Sequence, residues 1–295
     1  MALLLPVFGF LCGWGLAATQ FSAALKSLFA SLLARLLIPA IIVYNMVFYQ
    51  EGSLWLIGFS FISSVVFFCI FYYFKKDKLR ALCLSYLNGA WLGFPFALAL
   101  FGPQASSTIV ALYIGGSLFG NVCAVMAVSQ SKQDPKFIIK NVLLSPPVLA
   151  LSLAAVLSIW DFTVYASHPW VQGLYQANKV LVTFTGMCIL GMWLSKIHIG
   201  LNDLRQSLLL ISSRMFLAVF VCLAAYYLLP IPHQRLTYAV MFMFFALPPA
   251  ANIVALETYY QGTGHSAKYI ASGTIASTIL ITVYGVVLHI LMPDL

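Results

Sequence analysis

Residues 88–102 read NGAWLGFPFALALFG, and they interrupt an otherwise apolar segment of the chain. Asn88, Gly89, Gly93 and Pro95 fall within about two helical turns. Proline removes a backbone donor and clashes with the preceding turn. Because freed carbonyls need partners in lipid, a broken helix is tolerated only inside protein or beside a water-filled cavity. The stretch therefore indicates either a plain kink or a break at a binding site.

The composition around this stretch is that of a membrane protein. The chain has 295 residues, of which 62% are hydrophobic and 7% are charged, against about 25% charged in soluble domains. We predict an all-α polytopic membrane protein whose opening MALLLPVFGF is a retained first span rather than a signal peptide. The length fits about ten spans of roughly 20 residues, which we place at 2–18, 27–48, 53–74, 81–101, 106–129, 141–160, 171–194, 207–229, 236–258 and 267–291.

The basic residues predict the orientation. All but two of the 15 lysines and arginines fall on one side of the ten-span prediction, Arg35 and Arg214 included, and only Lys179 and Arg235 fall on the other. Cytoplasmic loops carry such an excess, so we expect both termini outside, with anionic lipid as a further contact. The net charge of +8 therefore indicates topology rather than nucleic-acid binding.

The chain divides into two sets of five spans. We expect a first repeat over 1–130, a cytoplasmic linker over 131–140 and a second repeat over 141–295. Because five is odd, the second set enters the membrane in the opposite orientation, as an inverted repeat requires. The ninth span carries Pro248, Pro249 and Asn252 at the position that corresponds to the break in the fourth. Interrupted spans at matching positions are typical of a transporter binding site.

Two broken helices predict a site for an anion. We expect the second half of each to begin at its prolines, at Pro95 and at Pro248 or Pro249, since proline suits the first helical position. Free N–H groups at a helix start favour negative charge, typically a carboxylate. Asn88 and Asn252 can add amide donors, and Gly89 and Gly93 allow close approach. None of the seven acidic residues is predicted at the membrane centre, where a cation carrier usually keeps one.

At these residues the sequence resembles the auxin efflux carrier family, through the asparagine-to-proline spacing of NGAWLGFP. LLIPAIIVYN at 36–45, ALP at 246–248 and ETYYQGTGHSAKYIASGTIASTI at 257–279 are similar to its second, ninth and tenth spans. The resemblance implies ten spans in two inverted repeats, with spans four and nine crossing at Pro95 and Pro248, and an elevator-like transport domain. It implies Asn88 as a site residue and leaves a homodimer open. The short central loop resembles bacterial members, for which small dicarboxylates are expected, rather than the long-loop auxin carriers.

Other polar residues within the spans have two readings each. Asn45 forms an interhelical hydrogen bond or contacts the ligand, and the former is favoured. Tyr113 and Asn121, on one face of span five, line the path or bond a neighbour. Lys179 is expected to extend its ammonium group toward the outer surface. Glu257 is expected near the cytoplasmic surface rather than in a proton relay.

Catalytic and metal-binding patterns are absent from the sequence. It has no HExxH, GxSxG or P-loop motif, and its six cysteines show no CxxC pairing. We therefore expect no enzyme activity and no cofactor, and we expect the cysteines to be small apolar packing residues.

The sequence thus predicts a secondary transporter for a small organic anion, in the inner membrane of a bacterium. Two alternatives stay open. One is a sodium-coupled organic anion symporter of the bile-acid type, which would want a carboxylate-containing cation site near the crossing. The other is a non-transporting membrane receptor, which would bind its ligand without moving it.

Overall fold

The computed structural model describes residues 4–48, 52–128, 135–160, 162, 165, 168–195, 198–231, 234–261 and 265–292. These residues are almost wholly helical. We number the helices in chain order: α1 Leu4–Leu16, α2 Ser22–Val47, α3 Ser53–Lys75, α4 Lys78–Ser85, α5 Gly89–Phe101, α6 Pro103–Ala124 with its extension Val125–Val128, α7 Pro135–Leu143, α8 Pro146–Leu157, α9 Pro169–Leu194, α10 Leu201–Leu228, α11 Arg235–Phe244, α12 Asn252–Gln261 and α13 His265–Leu291.

The prediction of an all-α polytopic membrane protein is confirmed. Six of the described helices are long and apolar enough to cross a membrane, namely α2, α3, α6, α9, α10 and α13. The other four predicted spans hold shorter helices, and three of them are interrupted: α4 and α5 in span four, α7 and α8 in span six, and α11 and α12 in span nine. At these three interruptions some backbone N–H and carbonyl groups lack partners within a helix, and they have to find hydrogen-bond partners elsewhere in the protein.

Several helices begin earlier in the chain than predicted. The predicted linker 131–140 is helical from Pro135, while residues 129–134 lie outside the described part. Span eight begins at Leu201 rather than at 207, and span two begins at Ser22 rather than at 27.

These longer helices correct the placement of two arginines. Arg214, expected at a cytoplasmic end, lies at the middle of the 28-residue α10 and is fully buried. Arg35, expected at the cytoplasmic edge, lies at the middle of the 26-residue α2, in a π-helical turn, and its side chain is exposed. These two arginines therefore do not lie at the ends of helices, where the orientation argument placed them.

Five pairs of helices form the main packing contacts. Helix α1 packs along α9, α8 along α2, α3 along both α6 and α4, and α10 along α13. Glycines allow the close approach in the first pair, because a Cβ atom at Gly13 would lie 2.0 Å from the carbonyl oxygen of Cys188. Gly9 serves packing in the same way, since a Cβ at Gly9 would lie 3.0 Å from the carbonyl oxygen of Phe184.

One end of the bundle is held by polar contacts. Arg80 donates from Nε and Nη2 to the hydroxyl of Tyr269, at 3.1 and 2.7 Å, and Lys268 forms a 3.0 Å ion pair with Asp203. These residues lie at the start of α4, α10 and α13, so those three helix starts share one end of the molecule. All six cysteines are free thiols. Cys83 and Cys188 are buried, as expected of packing residues, whereas Cys69 is exposed.

Candidate functional site

The fourth span breaks between Ser85 and Gly89, at the start of the stretch NGAWLGFPFALALFG. Tyr86 is extended and Asn88 leaves helical geometry. The Asn88 side chain then caps α5, accepting from the backbone N–H of Trp91 at 3.1 Å. Helix α5 opens with a π turn, in which Gly93 N–H donates to the carbonyl of Asn88 at 3.0 Å.

The ninth span breaks between Phe244 and Asn252. Phe245, Ala246 and Leu247 form tight turns, with N–H groups that donate to carbonyls three residues earlier. Pro248 and Pro249 follow, both buried. Helix α12 then begins at Asn252. This break is longer than the first because two consecutive prolines cannot donate to a preceding turn.

The two breaks pair with each other through the backbone. Leu87 lies opposite Pro249 in an antiparallel bridge, in which Asn88 N–H donates to the carbonyl of Pro248 at 2.8 Å and Ala250 N–H donates to the carbonyl of Tyr86 at 2.9 Å. Leu87 and Pro249 thus form a non-hydrogen-bonded pair, in which neither residue contributes its own backbone groups to the two hydrogen bonds of the bridge. Prolines fit here because the bridge uses only the carbonyl of Pro248 and neither the nitrogen nor the carbonyl of Pro249.

The predicted helix starts at the prolines were wrong. The second half of span four begins at Gly89, and Pro95 lies inside the helix, buried, after the π turn. Pro95 lacks the N–H that would bond the carbonyl of Trp91, and a π turn is one way for a helix to accommodate such a gap. The second half of span nine begins at Asn252, after Pro248 and Pro249 rather than with them.

Asparagines stand at both helix starts, but they differ in exposure. Asn88 is 7% exposed, and among the described residues its amide nitrogen has no hydrogen-bond partner. Asn252 is exposed, and its amide donates to the hydroxyl of Tyr86 at 3.0 Å. We call the region where the two breaks pair, residues 86–88 and 248–250, the crossing. The two asparagine side chains offer amide groups that could contact a ligand there.

The glycines and aromatic residues nearby serve packing. A Cβ atom at Gly89 would lie 3.3 Å from the Phe244 ring, and one at Gly93 would lie 3.0 Å from Leu247. Both glycines therefore let the two breaks approach, rather than opening space for a ligand. Tyr113 contacts Gly89 and meets the ring of Phe94 edge-on, at a centroid distance of 6.3 Å.

Tyr86 connects the crossing to helix α6. Its ring covers Gly120, where a Cβ atom would lie 2.1 Å from the Tyr86 Cζ atom. Asn121 follows in a π turn, is half-buried and lies 3.5 Å from the Ser117 hydroxyl, a long hydrogen bond. Gly120 is thus a packing residue, and Asn121 lies on the helix that supports Tyr86.

Arg214 is the charge at the crossing. From Nε it donates to the carbonyl of Phe245 at 2.6 Å, from Nη1 to the carbonyl of Leu84 at 3.3 Å, and from Nη2 to the carbonyl of Leu247. One guanidinium group therefore bonds backbone carbonyls from both broken spans. A small cavity of about 20 Å³ adjoins it, lined also by Arg80, Ser207 and Tyr269.

A second polar cluster lies between α2, α6 and α9, away from the bridge. Asn45 donates to the hydroxyl of Tyr175 at 3.0 Å, and that hydroxyl lies 2.6 Å from the Ser106 hydroxyl. The expectation of an interhelical hydrogen bond from Asn45 is confirmed. The Lys179 ammonium lies 4.4 Å from the centre of the Tyr175 ring. Lys179 is only 5% exposed, so the expectation that it reaches the surface was wrong.

One apolar cavity does not coincide with the crossing. A groove of about 1290 Å³ lies between α2, α8 and α9, lined by apolar side chains together with Arg35, Tyr44, Tyr175 and Asn178. Its walls are nearly all apolar and it opens to the outer surface of the bundle. We place the candidate site at the crossing, because binding sites generally need a few convergent polar groups, and such groups are found there.

Glu257 has a structural role. Its carboxylate is fully buried and accepts from the backbone N–H groups of His265 and Ser266, both at 2.8 Å, and from the Ser266 hydroxyl. A carboxylate at the start of α13 is stabilised by the helix dipole and by these orphan donors. The expectation that Glu257 lies at the surface was wrong, because its side chain is fully buried. Its hydrogen bonds favour a cap over the proton relay considered from the sequence.

Sequence reasoning missed Arg214, Tyr86 and Tyr175. Arg214 carries a signal in the sequence, since it is the one charge inside the apolar run SLLLISSRMFLAVFVCLAAYYLL at 207–229. The tyrosines carry none, because aromatic residues are frequent throughout this chain. No protein-family model matches the chain, and no curated protein matches its sequence.

Proposed function

We propose that the protein is a secondary transporter that moves a small organic anion, of the carboxylate class, by alternating access around the paired breaks. The observation that carries the proposal is the bridge between Leu87 and Pro249, which brings two interrupted membrane helices into backbone contact. Each break is followed by a helix start that bears an asparagine, at Asn88 and at Asn252. Helix starts of this kind receive anionic groups in discontinuous-helix carriers.

The proposed architecture is ten spans in two inverted repeats of five. Helix packing supports it. The contact of α1 with α9 joins spans one and seven, and the contact of α8 with α2 joins spans six and two, its counterpart under the repeat. The contacts of α3 with α6 and of α10 with α13 join spans three and five and spans eight and ten, again counterparts.

The bridge between spans four and nine is its own counterpart under the same operation. Its two hydrogen bonds, from Asn88 to Pro248 and from Ala250 to Tyr86, exchange when the halves are exchanged. The resemblance to auxin efflux carriers adds the elevator-like movement. On this proposal both termini are outside a bacterial inner membrane, and residues 75–80 and 200–205 face the cytoplasm.

The electrostatics of the crossing favour an anion. Two helix starts, each equivalent to roughly half a positive charge, meet beside the two asparagines. Among the described residues the only buried carboxylate is that of Glu257, which is engaged at the start of α13. A monoanion that leaves a cell with a negative interior gains about 2.3 kcal/mol of free energy per 100 mV. This gain corresponds to a concentration ratio of roughly 50-fold across the membrane. Export therefore needs no coupling ion, and we propose voltage-driven movement.

Flux in proteoliposomes tests the proposal. The vesicles are loaded with labelled mono- and dicarboxylates, and potassium with valinomycin sets the membrane potential. We expect potential-dependent flux of at least one acid. The proposal is wrong if no acid moves under any potential, pH or sodium gradient while an amine or a neutral solute does. Acid binding without flux would instead favour a membrane receptor.

Two substitutions at Asn88 make the test specific to the crossing. Asn88→Ser and Asn88→Asp both keep a side-chain acceptor for the N–H of Trp91, so both preserve the cap of α5. Only Asn88→Asp adds a negative charge beside the helix starts. We expect Asn88→Asp to lower anion flux at least tenfold below that of Asn88→Ser, with similar thermal stability. Equal flux would place the anion elsewhere.

A further inference from the structure

Arg214 raises a question that anion binding at the helix starts leaves open. It is the largest fully buried side chain of the described chain, with 0% of its surface exposed. It lies at the middle of α10, at the depth where a charged residue is most costly in a bilayer. Such a residue is tolerated only when its charge and its donors are satisfied, and it marks functional positions.

The partners of Arg214 are backbone carbonyls at the ends of two half-helices. Leu84 lies in the last turn of α4, while Phe245 and Leu247 follow the last turn of α11. Carbonyls at these positions have no partner within their own helices. Each helix end is equivalent to roughly half a negative charge, so one guanidinium balances both.

Carbonyls at broken helix ends are also the groups that bind coupling cations in discontinuous-helix carriers. In this chain they are bonded to a side chain instead. Within the described part of the chain Arg214 forms no ion pair, so its positive charge is directed at these carbonyls alone. The guanidinium geometry fits the task, because its planar fork reaches several acceptors at fixed angles.

We propose that Arg214 is a built-in counter-cation, which holds the carbonyls of both breaks in place of a coupling sodium ion and makes anion transport independent of sodium. The inference rests on the proposed transport function. It adds a reason for the absence of cation coupling, and it assigns Arg214 as a residue that positions both breaks at once. A purely structural role for Arg214 would also need the three hydrogen bonds, but it would not predict that transport is independent of sodium.

The first test compares ionic conditions. Anion flux of the wild-type protein is measured at one imposed potential in sodium, in potassium and in N-methylglucamine media. We expect the three rates to agree within twofold. Flux that needs sodium would overturn the inference and leave the proposed transport function standing.

The second test separates charge from packing. Arg214→Lys keeps the charge, whereas Arg214→Gln is neutral, keeps an amide donor and is shorter. We expect Arg214→Lys to retain at least a third of the flux and Arg214→Gln to lose at least tenfold. Arg205→Ala, an exposed arginine on the same helix, serves as the matched control and should transport like the wild type. Equal loss or equal retention in Lys and Gln variants would overturn the role of the charge.

The third test does not depend on transport. The small cavity beside the guanidinium group of Arg214 has room for about one water molecule. Arg214→Ala removes that group and enlarges the cavity. We expect millimolar guanidinium to raise the melting temperature of Arg214→Ala in detergent and to leave that of the wild type unchanged. If the wild type moved no anion, this shift would still report on the carbonyl site. If the variant does not fold, a higher yield of folded protein with guanidinium present is the expected result; no effect of guanidinium on stability or folding counts against the inference.

Discussion

Asn88 and Pro248 are joined by a backbone hydrogen bond of 2.8 Å, although they belong to opposite halves of the chain. The same asparagine caps α5 with its side chain. The backbone of Asn88 therefore connects the two halves of the molecule, while its side chain sets the start of the helix that we propose faces the anion. The predictions below follow from this crossing and from the groups that support it.

The first prediction concerns Pro249 and Gly273. A Cβ atom at Gly273 would lie 2.9 Å from the Pro249 ring. We expect Pro249→Ala and Gly273→Ala each to lower the melting temperature, the former by leaving a small void and a buried N–H, the latter by crowding. In the double variant the added methyl group occupies the space that the ring vacates. We expect a coupling of about 0.5–3 kcal/mol in favour of the double variant, and strict additivity would contradict it.

The second prediction concerns the glycine under Tyr86. Gly120→Ala would place a methyl group within the Tyr86 ring, whereas the nearest atom to a methyl group at Gly116 is 3.5 Å away. We expect Gly120→Ala to destabilise the protein by about 1–3 kcal/mol, as overpacking does, and to lower flux by displacing the partner of Asn252. Gly116→Ala is the matched control on the same helix. Thermal melting in detergent measures both, and equal melting temperatures would refute the packing argument.

The third prediction concerns Lys179. Its ammonium contacts the Tyr175 ring and has no carboxylate partner in the described chain. Because an unpaired buried charge is costly, we expect Lys179→Gln to keep or raise the melting temperature. If the anion passes this cluster, the same variant lowers the apparent affinity for the transported acid at least several-fold. Lys268→Gln, which removes an exposed ion pair, should change neither quantity.

The fourth prediction concerns Glu257. Replacing its carboxylate with an amide in Glu257→Gln removes charge-assisted hydrogen bonds at the start of α13. We expect a loss of about 1–3 kcal/mol, which lowers the melting temperature by roughly 3–10 °C. The pH profile of anion flux should keep its shape. A lost pH dependence with an unchanged melting temperature would instead assign Glu257 to a proton relay.

Local rules predicted where the chain breaks, but not where the helices restart. Proline is a strong signal for a first helical position, and this rule predicts a helix start at Pro95. In the structure Asn88 provides a better start, because its side chain caps the N–H of Trp91. Pro95 then falls within the helix, where a π turn accommodates it. The asparagine and the proline both signal a helix start, and their order along the chain decides between them.

Arg214 shows why part of the site could not be predicted. Its three acceptors come from Leu84, Phe245 and Leu247, which are distant in sequence and become neighbours only when both breaks have formed. Sequence rules assign arginines in apolar chains to the ends of helices, because isolated charges are expelled from lipid. The exception requires a set of orphan carbonyls, and these exist only in the folded protein.

The bridge between Leu87 and Pro249 also constrains how the protein is made. At roughly 5–20 residues per second, the ~160 residues between Asn88 and Ala250 take on the order of 10–30 s to synthesise. During that interval the carbonyl of Tyr86 and the N–H of Asn88 lack their final partners. The first half of the newborn chain must therefore wait at the translocation machinery, or hold water at its break, until the second half arrives.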